Sequence, residues 1–314
     1  MAGFLNAASA CLVLMLLMGV GYLMGRLGWM TAAEKKFLNK YIVNIAVPAN
    51  CVISLLKNLN REELAQAVPQ LIAVLLGLAA TLLLSMGTAT LLRLPRNRWG
   101  VFVAMGGMSN TLFVGLPICM QLFGDPGVPY LMLYYLCGIS TFQSVGVLLI
   151  QHAGNQDAPK MSVGGFIRNI VTRPPILGVA AALVMLSLGL ELPETLRSFG
   201  QYIANSVVSL ALIYCGFILY EVGLRNLKLL RGLPAMLVIR LAVAPVICWG
   251  FCQLFQIGGI TRDVFLVESA LPVISQVPVM AGAFGADEEY AAIGTCLSIL
   301  CCFVSLPVLM LVIG

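Results

Sequence analysis

The sequence of 314 residues has few charged side chains: Asp, Glu, Lys and Arg make up 10% of it, whereas 60% is hydrophobic. Soluble domains usually carry about 25% charged residues. A soluble core of this size does not need so many apolar side chains, so the composition indicates an integral membrane protein. The sequence also has no basic and aromatic tract that would suggest a nucleic-acid partner.

The residues that metal centres and hydrolytic sites use are equally scarce. His152 is the one histidine, and the ten cysteines include no Cys-x-x-Cys pair, so we expect reduced, buried thiols and no metal site. A His-Glu-x-x-His helix, a Gly-x-Ser-x-Gly elbow and a pair of intramembrane aspartates are all lacking. Gly19-x-Gly21 follows no strand and is therefore no dinucleotide fingerprint. The sequence predicts neither an enzyme nor a cofactor.

Long apolar segments fill the chain instead. If a membrane-spanning helix needs about 17–25 apolar residues, ten segments qualify, and the first lacks the cationic flank of a signal peptide. The longest connection, the polar residues 152–173, divides the chain into a first half, 1–151, and a second half, 174–314. The predicted spans are 7–26, 39–56, 69–92, 100–123, 129–151, 174–190, 201–220, 233–255, 263–285 and 290–313.

The two halves share rare residues at a constant offset of 161 positions. Five spans is an odd number, so a second copy of the same unit must cross the membrane in the opposite sense. The sequence therefore predicts an all-α fold of two inverted five-helix repeats. The matching pairs are Gly28 and Gly189, Tyr41 and Tyr202, Asn44 and Asn205, Pro117 and Pro278, Phe123 and Phe284, and Gly124 and Gly285.

Positive charge is distributed unequally between the loops. Thirteen of the 18 lysines and arginines fall in loops on one predicted face, four fall on the other, and Arg240 lies inside a span. The positive-inside rule places the first face in the cytoplasm. We therefore expect residues 152–173 to be a cytoplasmic linker, both termini to lie outside, and the protein to reside in the plasma (inner) membrane.

Polar residues and prolines interrupt the fourth and ninth spans. Backbone groups that proline frees at membrane depth are tolerated inside protein or beside a wet cavity. Two interrupted helices in corresponding positions are the sequence sign of a transporter's binding site. The residues that we expect to bind substrate are Asn110, Thr111, Gly115, Pro117, Pro272, Ser275, Gln276 and Pro278.

The two breaks should cross near the bilayer midplane. Each break exposes the N-terminus of the half-helix that follows it, and two such positive ends suit an anion. Unwound carbonyl groups could instead hold a cation, so these residues alone leave the sign of the ligand open. A further alternative is a pair of proline kinks satisfied by neighbouring helices, with no ligand.

Two charged side chains lie within spans. Glu268 comes about one turn before Pro272, and an intramembrane acid usually faces a cavity, carries protons or pairs with a cation. Arg240 lies about two turns into the eighth span, where it could pair with Glu268, bind an anionic substrate or reach the interface. We treat Glu268 and Arg240 as a candidate coupling site or charge pair.

These motifs resemble those of the auxin efflux carrier family, which includes plant auxin exporters and bacterial carriers of malonate and other carboxylates. The resemblance covers essentially the whole chain. It implies that Asn110 contacts substrate and that Pro117, with Pro272 or Pro278, marks the crossover. The motifs are Tyr41-Ile42-Val43-Asn44 to Pro48, Ser109-Asn110-Thr111 to Gly115-Leu116-Pro117, and Glu268-Ser269-Ala270-Leu271-Pro272 followed by Ala281 to Gly285.

The resemblance also implies a fold similar to that of bile acid symporters and sodium/proton antiporters. Spans 1, 2, 6 and 7 would form a scaffold that makes a homodimer, and spans 3–5 and 8–10 a transport domain that moves as an elevator. Residues 273–276 depart from the plant pattern, and the central loop is too short for the plant regulatory loop. A small carboxylate or dicarboxylate such as malonate is therefore a better substrate than auxin or an auxin-like acid.

The sequence thus predicts a secondary active or facilitative carrier of a small organic anion, with protons or sodium as candidate coupling ions. An ion channel is one alternative, although its selectivity elements usually come from a ring of subunits. A cation-coupled or proton-coupled carrier of another solute is the other. Paired internal breaks suit a self-contained site, which favours the carrier.

Overall fold

The computed structural model describes residues 2–58, 67–154, 168, 171–172, 174–223 and 229–313. Within these residues the fold is helical, and the strand-like pairing is an isolated antiparallel bridge between Ser109 and Val273. The helices that matter here are α1 (Ala2–Arg26), α2 (Ala32–Lys57), α3 (Ala67–Leu91), α4 (Arg96–Gly107), α5 (Thr111–Phe123), α6 (Asp125–Ala153), α7 (Pro174–Leu188), α8 (Glu194–Val222), α9 (Leu233–Leu254), α10 (Gly259–Ser269), α11 (Gln276–Phe284) and α12 (Glu288–Ile313).

Six of the described helices, α2, α3, α6, α8, α9 and α12, are each long and apolar enough to cross a membrane. The chain is therefore a polytopic helical membrane protein, as predicted. Reading α4 with α5, and α10 with α11, as two interrupted crossings would give ten spans, but the count of ten and the inverted repeat stay predictions. Most of the predicted linker 152–173 lies outside the described residues, as do Met1 and Gly314.

Three of the helices contain a π-helical segment that ends two residues before a proline, which the sequence did not lead us to expect. The residue just before the proline donates its N–H to the carbonyl five positions back, which widens the turn that the proline ring would otherwise obstruct. Pro117 therefore lies inside helix α5, and the true interruption comes earlier, at residues 108–110. The segments are Ile42–Ala46 before Pro48, Thr111–Gly115 before Pro117, and Ile239–Val243 before Pro245.

Most of the helices fall into two packed sets, and α5 contacts both of them. Helices α1, α2, α7 and α8 pack mainly on one another, whereas α3, α4 and α6 pack together with α9 to α12. The contact between α1 and α8 is the most extensive, and glycine makes it possible. A Cβ on Gly21 would lie 2.0 Å from the Ile213 carbonyl oxygen, and a Cβ on Gly216 would lie 1.9 Å from that of Met18. Small residues let the two backbones touch, as they commonly do in membrane helix pairs.

Two glycine pairs of the predicted repeat have matching backbone conformations. Gly28 and Gly189 follow α1 and α7 with φ of 73° and 67°, and Gly124 and Gly285 follow α5 and α11 with φ of 67° and 71°. Positive φ is accessible to glycine at little steric cost, and such residues commonly end helices. The matches found in the sequence thus coincide with equivalent helix ends.

Candidate functional site

The two interruptions lie against each other. The backbone N–H of Asn110 donates to the Pro272 carbonyl at 2.9 Å, and that of Ile274 donates to the Met108 carbonyl at 3.1 Å. Ser298 of α12 adds a side-chain partner, because its Oγ accepts from the Val273 N–H at 2.9 Å. Each break thereby satisfies backbone groups that a hydrocarbon environment would leave unpaired.

The helices that begin after the breaks are joined at their N-termini. Asn110 caps α5 through its Oδ1, which accepts from the Phe113 N–H at 3.3 Å. Its Nδ2 donates to the Ser275 Oγ at 2.6 Å, and Ser275 is the N-cap residue of α11. Both side chains are at least nine-tenths buried. Two positive helix ends therefore converge on one side-chain hydrogen bond.

A cavity of about 620 Å³ lies beside this hydrogen bond. Ser275, Pro278 and Thr295 line its inner wall, together with Tyr214 of α8, whose ring stacks on Phe113 with centroids 4.8 Å apart. Charged side chains occupy its rim, and two of them, Lys35 and Glu221, form an ion pair. The other rim carboxylates are Glu288 and Glu289.

The residues predicted to bind substrate occupy two layers. Ser275 and Pro278 line the cavity, and Asn110 lies directly behind Ser275. Gln276 is half-buried, and its Oε1 accepts from the Gln143 Nε2 at 3.3 Å. The remaining four are buried and do not line this cavity: Thr111, Gly115, Pro117 and Pro272.

Glu268 is fully buried at the end of α10, and neither carboxyl oxygen has a hydrogen-bond partner. Its carboxyl group packs against the backbone of Gly115, where a Cβ would lie 2.5 Å from Oε2. The Thr111 side chain is its polar neighbour. Glycine at position 115 therefore makes the space in which this carboxyl group sits.

Arg240 is also buried, at 1% exposure, but it contacts backbone and not Glu268. Its Nη1 donates to the Gly106 carbonyl at 3.3 Å, and its Nη2 donates to the Ser269 carbonyl. The described residues contain no ion pair between Arg240 and Glu268, so the predicted charge pair is not formed in this structure. Two nitrogens of the guanidinium group thus bond to two helix ends, whereas its buried Nε has no hydrogen-bond partner.

The sequence analysis missed several polar residues of the site. Gln143 belongs to a short polar run, 140–144, in an otherwise apolar helix, Thr295 and Ser298 are polar residues of another apolar helix, and Tyr214 belongs to no motif. One signal was available for the pair on α12: Thr295 and Ser298 lie three residues apart and therefore share one face of an otherwise apolar helix. Among the described residues, no three His, Cys, Asp or Glu side chains are placed to hold a metal ion.

Comparison with known proteins places the chain among membrane transporters. Residues 7–310 match the family model described as membrane transport protein. An uncharacterized transporter of Methanocaldococcus jannaschii is 22% identical over 90% of both chains, and one of Methanothermobacter thermautotrophicus is 25% identical over 97% of both. The mouse lysosomal cholesterol signaling protein is 27% identical over 92% of this chain, which spans 35% of that protein.

We expect Asn110 and Ser275 to be energetically coupled. Asn110→Ala removes an N-cap and the partner of Ser275, which should destabilise the protein by about 1–2 kcal/mol. Ser275→Ala should have a smaller effect, and the double variant should be less destabilised than the sum by at least 0.5 kcal/mol or so. Thermal or denaturant unfolding of the four proteins measures this coupling. Strictly additive effects would show that the 2.6 Å contact contributes nothing to holding the two breaks together.

Proposed function

Because this chain belongs to the membrane transport protein family, the auxin efflux carrier family that its motifs resemble, we propose that it carries a small organic anion by alternating access. The observation on which this rests is the Asn110–Ser275 hydrogen bond, which brings the N-termini of α5 and α11 together at the inner end of a cavity. The family supports a transporter. The anion and the movement are our proposals.

The chemistry of the inner wall suits a carboxylate. Each helix N-terminus presents free N–H groups and about half a positive charge, and two of them converge here. The polar side chains that line the inner wall beside them, Ser275 and Thr295, are neutral, and the buried hydroxyl of Thr295 has no hydrogen-bond partner. Binding by dipoles and neutral donors, without a fixed cation, would hold an anion and still allow its release.

The position of the cavity supports an elevator movement. Helices α2 and α8 contribute to one side of it and helices α11 and α12 to the other, so it lies between the two packed sets. We assign α1, α2, α7 and α8 to a scaffold that forms a homodimer, and the remaining helices to a transport domain. With the predicted orientation, the charged rim of the cavity faces the cytoplasm.

A different observation favours a second candidate, a cation-coupled or proton-coupled carrier of another solute. Glu288, Glu289 and the paired Glu221 give the rim of the cavity more negative than positive charge. Negative charge at an entrance lowers the local concentration of anions and raises that of cations. The anion proposal therefore depends on the inner wall and not on the rim.

A ligand screen separates these two candidates. We expect mono- and dicarboxylates to raise the thermal midpoint of the purified wild-type protein, because a ligand that binds only the folded state stabilises it. Asn110→Ala and Ser275→Ala, titrated with the same carboxylate as wild type, should each lower the affinity for that carboxylate about tenfold. A lost hydrogen bond to a charged group has about this effect. Stabilisation by organic cations with none by any carboxylate would reject the anion proposal.

We expect Glu268 to carry the proton if transport is proton-coupled. Uptake of the carboxylate identified in the screen should then rise as the outside pH falls in wild-type proteoliposomes. Glu268→Gln keeps the shape of the side chain but cannot bind and release a proton, so uptake should lose this pH dependence. The exposed Glu194→Gln should retain it. An unchanged pH profile in Glu268→Gln would remove Glu268 from the coupling step.

The elevator proposal predicts that one ion pair must break during each cycle. The Nζ of Lys57, at the end of α2, lies 2.5 Å from the Oδ2 of Asp125, at the start of α6. This ion pair joins the proposed scaffold to the proposed transport domain. Cysteines at both positions, joined by a short thiol cross-linker, should block uptake until the linker is cleaved. Cross-linked cysteines at Tyr41 and Ser206, whose hydroxyl oxygens lie 3.3 Å apart between α2 and α8 of the proposed scaffold, are the matched control and should permit uptake. Equal activity of both cross-linked proteins would contradict the elevator.

A further inference from the structure

The two helices that end at the breaks meet on a single side chain. The last carbonyl groups of a helix have no partner within it, and together they carry about half a negative charge. In α4 the Gly106 carbonyl is such a group, and in α10 it is the Ser269 carbonyl. Both accept hydrogen bonds from Arg240, through Nη1 and Nη2 respectively.

We propose that Arg240 is a resident cation of the crossover. Its guanidinium group occupies the position between the two negative helix ends where an exchangeable metal ion would otherwise bind. In transporters with broken helices, unwound carbonyls and half-helix C-termini are the groups that coordinate a sodium ion. Here the same kind of groups bind a guanidinium group that is part of the chain. The inference concerns residues that do not line the cavity and goes beyond the proposed function.

The local structure is built for this contact. Arginine presents its donors as a rigid planar fork, so its two terminal nitrogens can reach two different carbonyls, which a lysine ammonium on a flexible stem does less well. Arg240 lies in the π segment Ile239–Val243 that Pro245 imposes on α9.

The space around Arg240 leaves no room for a second cation. The remaining void, which Thr81, Tyr134 and Ser269 line with it, has a volume of about 10 Å³. That is at most the size of one water molecule. The two negative helix ends are therefore served by Arg240 without a metal ion between them, and we expect sodium to have no specific effect there.

The test removes the Arg240 side chain by substitution and then supplies free guanidinium ion in solution. Arg240→Ala should lower the thermal midpoint by roughly 5 °C or more, because two buried carbonyls lose a charged partner. Guanidinium chloride at about 10 mM, far below the molar denaturing range, should raise the midpoint of Arg240→Ala specifically. Urea has the same planar shape without charge and should not. Wild type should respond to neither compound.

Three further proteins make the result decisive. Arg240→Met fills the space without charge and should be as unstable as Arg240→Ala but insensitive to guanidinium, whereas Arg240→Lys should fall between Arg240→Ala and wild type. Arg262→Ala, which loses only an ion pair with Asp263, should show no guanidinium response. The proposal is overturned if Arg240→Met is as stable as wild type, or if guanidinium and urea act alike on Arg240→Ala.

A measurement on unmodified protein covers the case in which Arg240→Ala and Arg240→Met do not fold. Replacing sodium chloride by choline chloride at constant ionic strength should leave the midpoint of wild type unchanged. A sodium-specific rise in wild type would contradict the resident-cation proposal. None of these measurements uses a transported substrate, so they are independent of whether the anion proposal holds.

Discussion

Backbone groups at membrane depth must find partners inside the protein, since lipid offers none. At the crossover this requirement explains nearly all of the polar contacts. The bridge between Ser109 and Val273, the cap that Asn110 provides, the acceptor on Ser298 and the guanidinium group of Arg240 each supply a partner where a helix begins or ends. The site is thus the place where two helices stop, and its polarity comes chiefly from the main chain.

The crossover divides electrostatically into two sides. On one side the N-termini of α5 and α11 converge, with neutral donors and a cavity beside them. On the other side the ends of α4 and α10 converge and are neutralised by a buried arginine. Positive helix ends are therefore left available to a solute, while the negative ends are already occupied. Such an arrangement supports the anion that we propose, even though the residues that line the inner wall include no cationic side chain.

Composition and spacing were enough to predict a helical membrane protein and to identify where its helices are interrupted, because polar residues are so rare in apolar spans. The sequence was less informative about how the chain accommodates proline. Pro117 marks a widened turn and not the break, since a π segment relieves its ring without ending the helix. Partners also escaped prediction: pairing with Glu268 was one candidate role for Arg240, yet its guanidinium group binds the main-chain carbonyls of Gly106 and of Ser269, the residue after Glu268. Such pairings are set by tertiary packing, which no local pattern records.

The paired hydrogen bonds between Met108–Asn110 and Pro272–Ile274 have a mechanical consequence. They join the two halves of the chain at the points where the helices are interrupted. Neither interruption can therefore serve as an independent hinge. Separating the two interruptions would leave several polar groups without hydrogen-bond partners in a nonaqueous interior, at a cost of several kcal/mol. In the elevator movement that we propose, this rigid unit therefore slides along its neighbours as a whole, and the hydrogen bonds between the two interruptions stay intact.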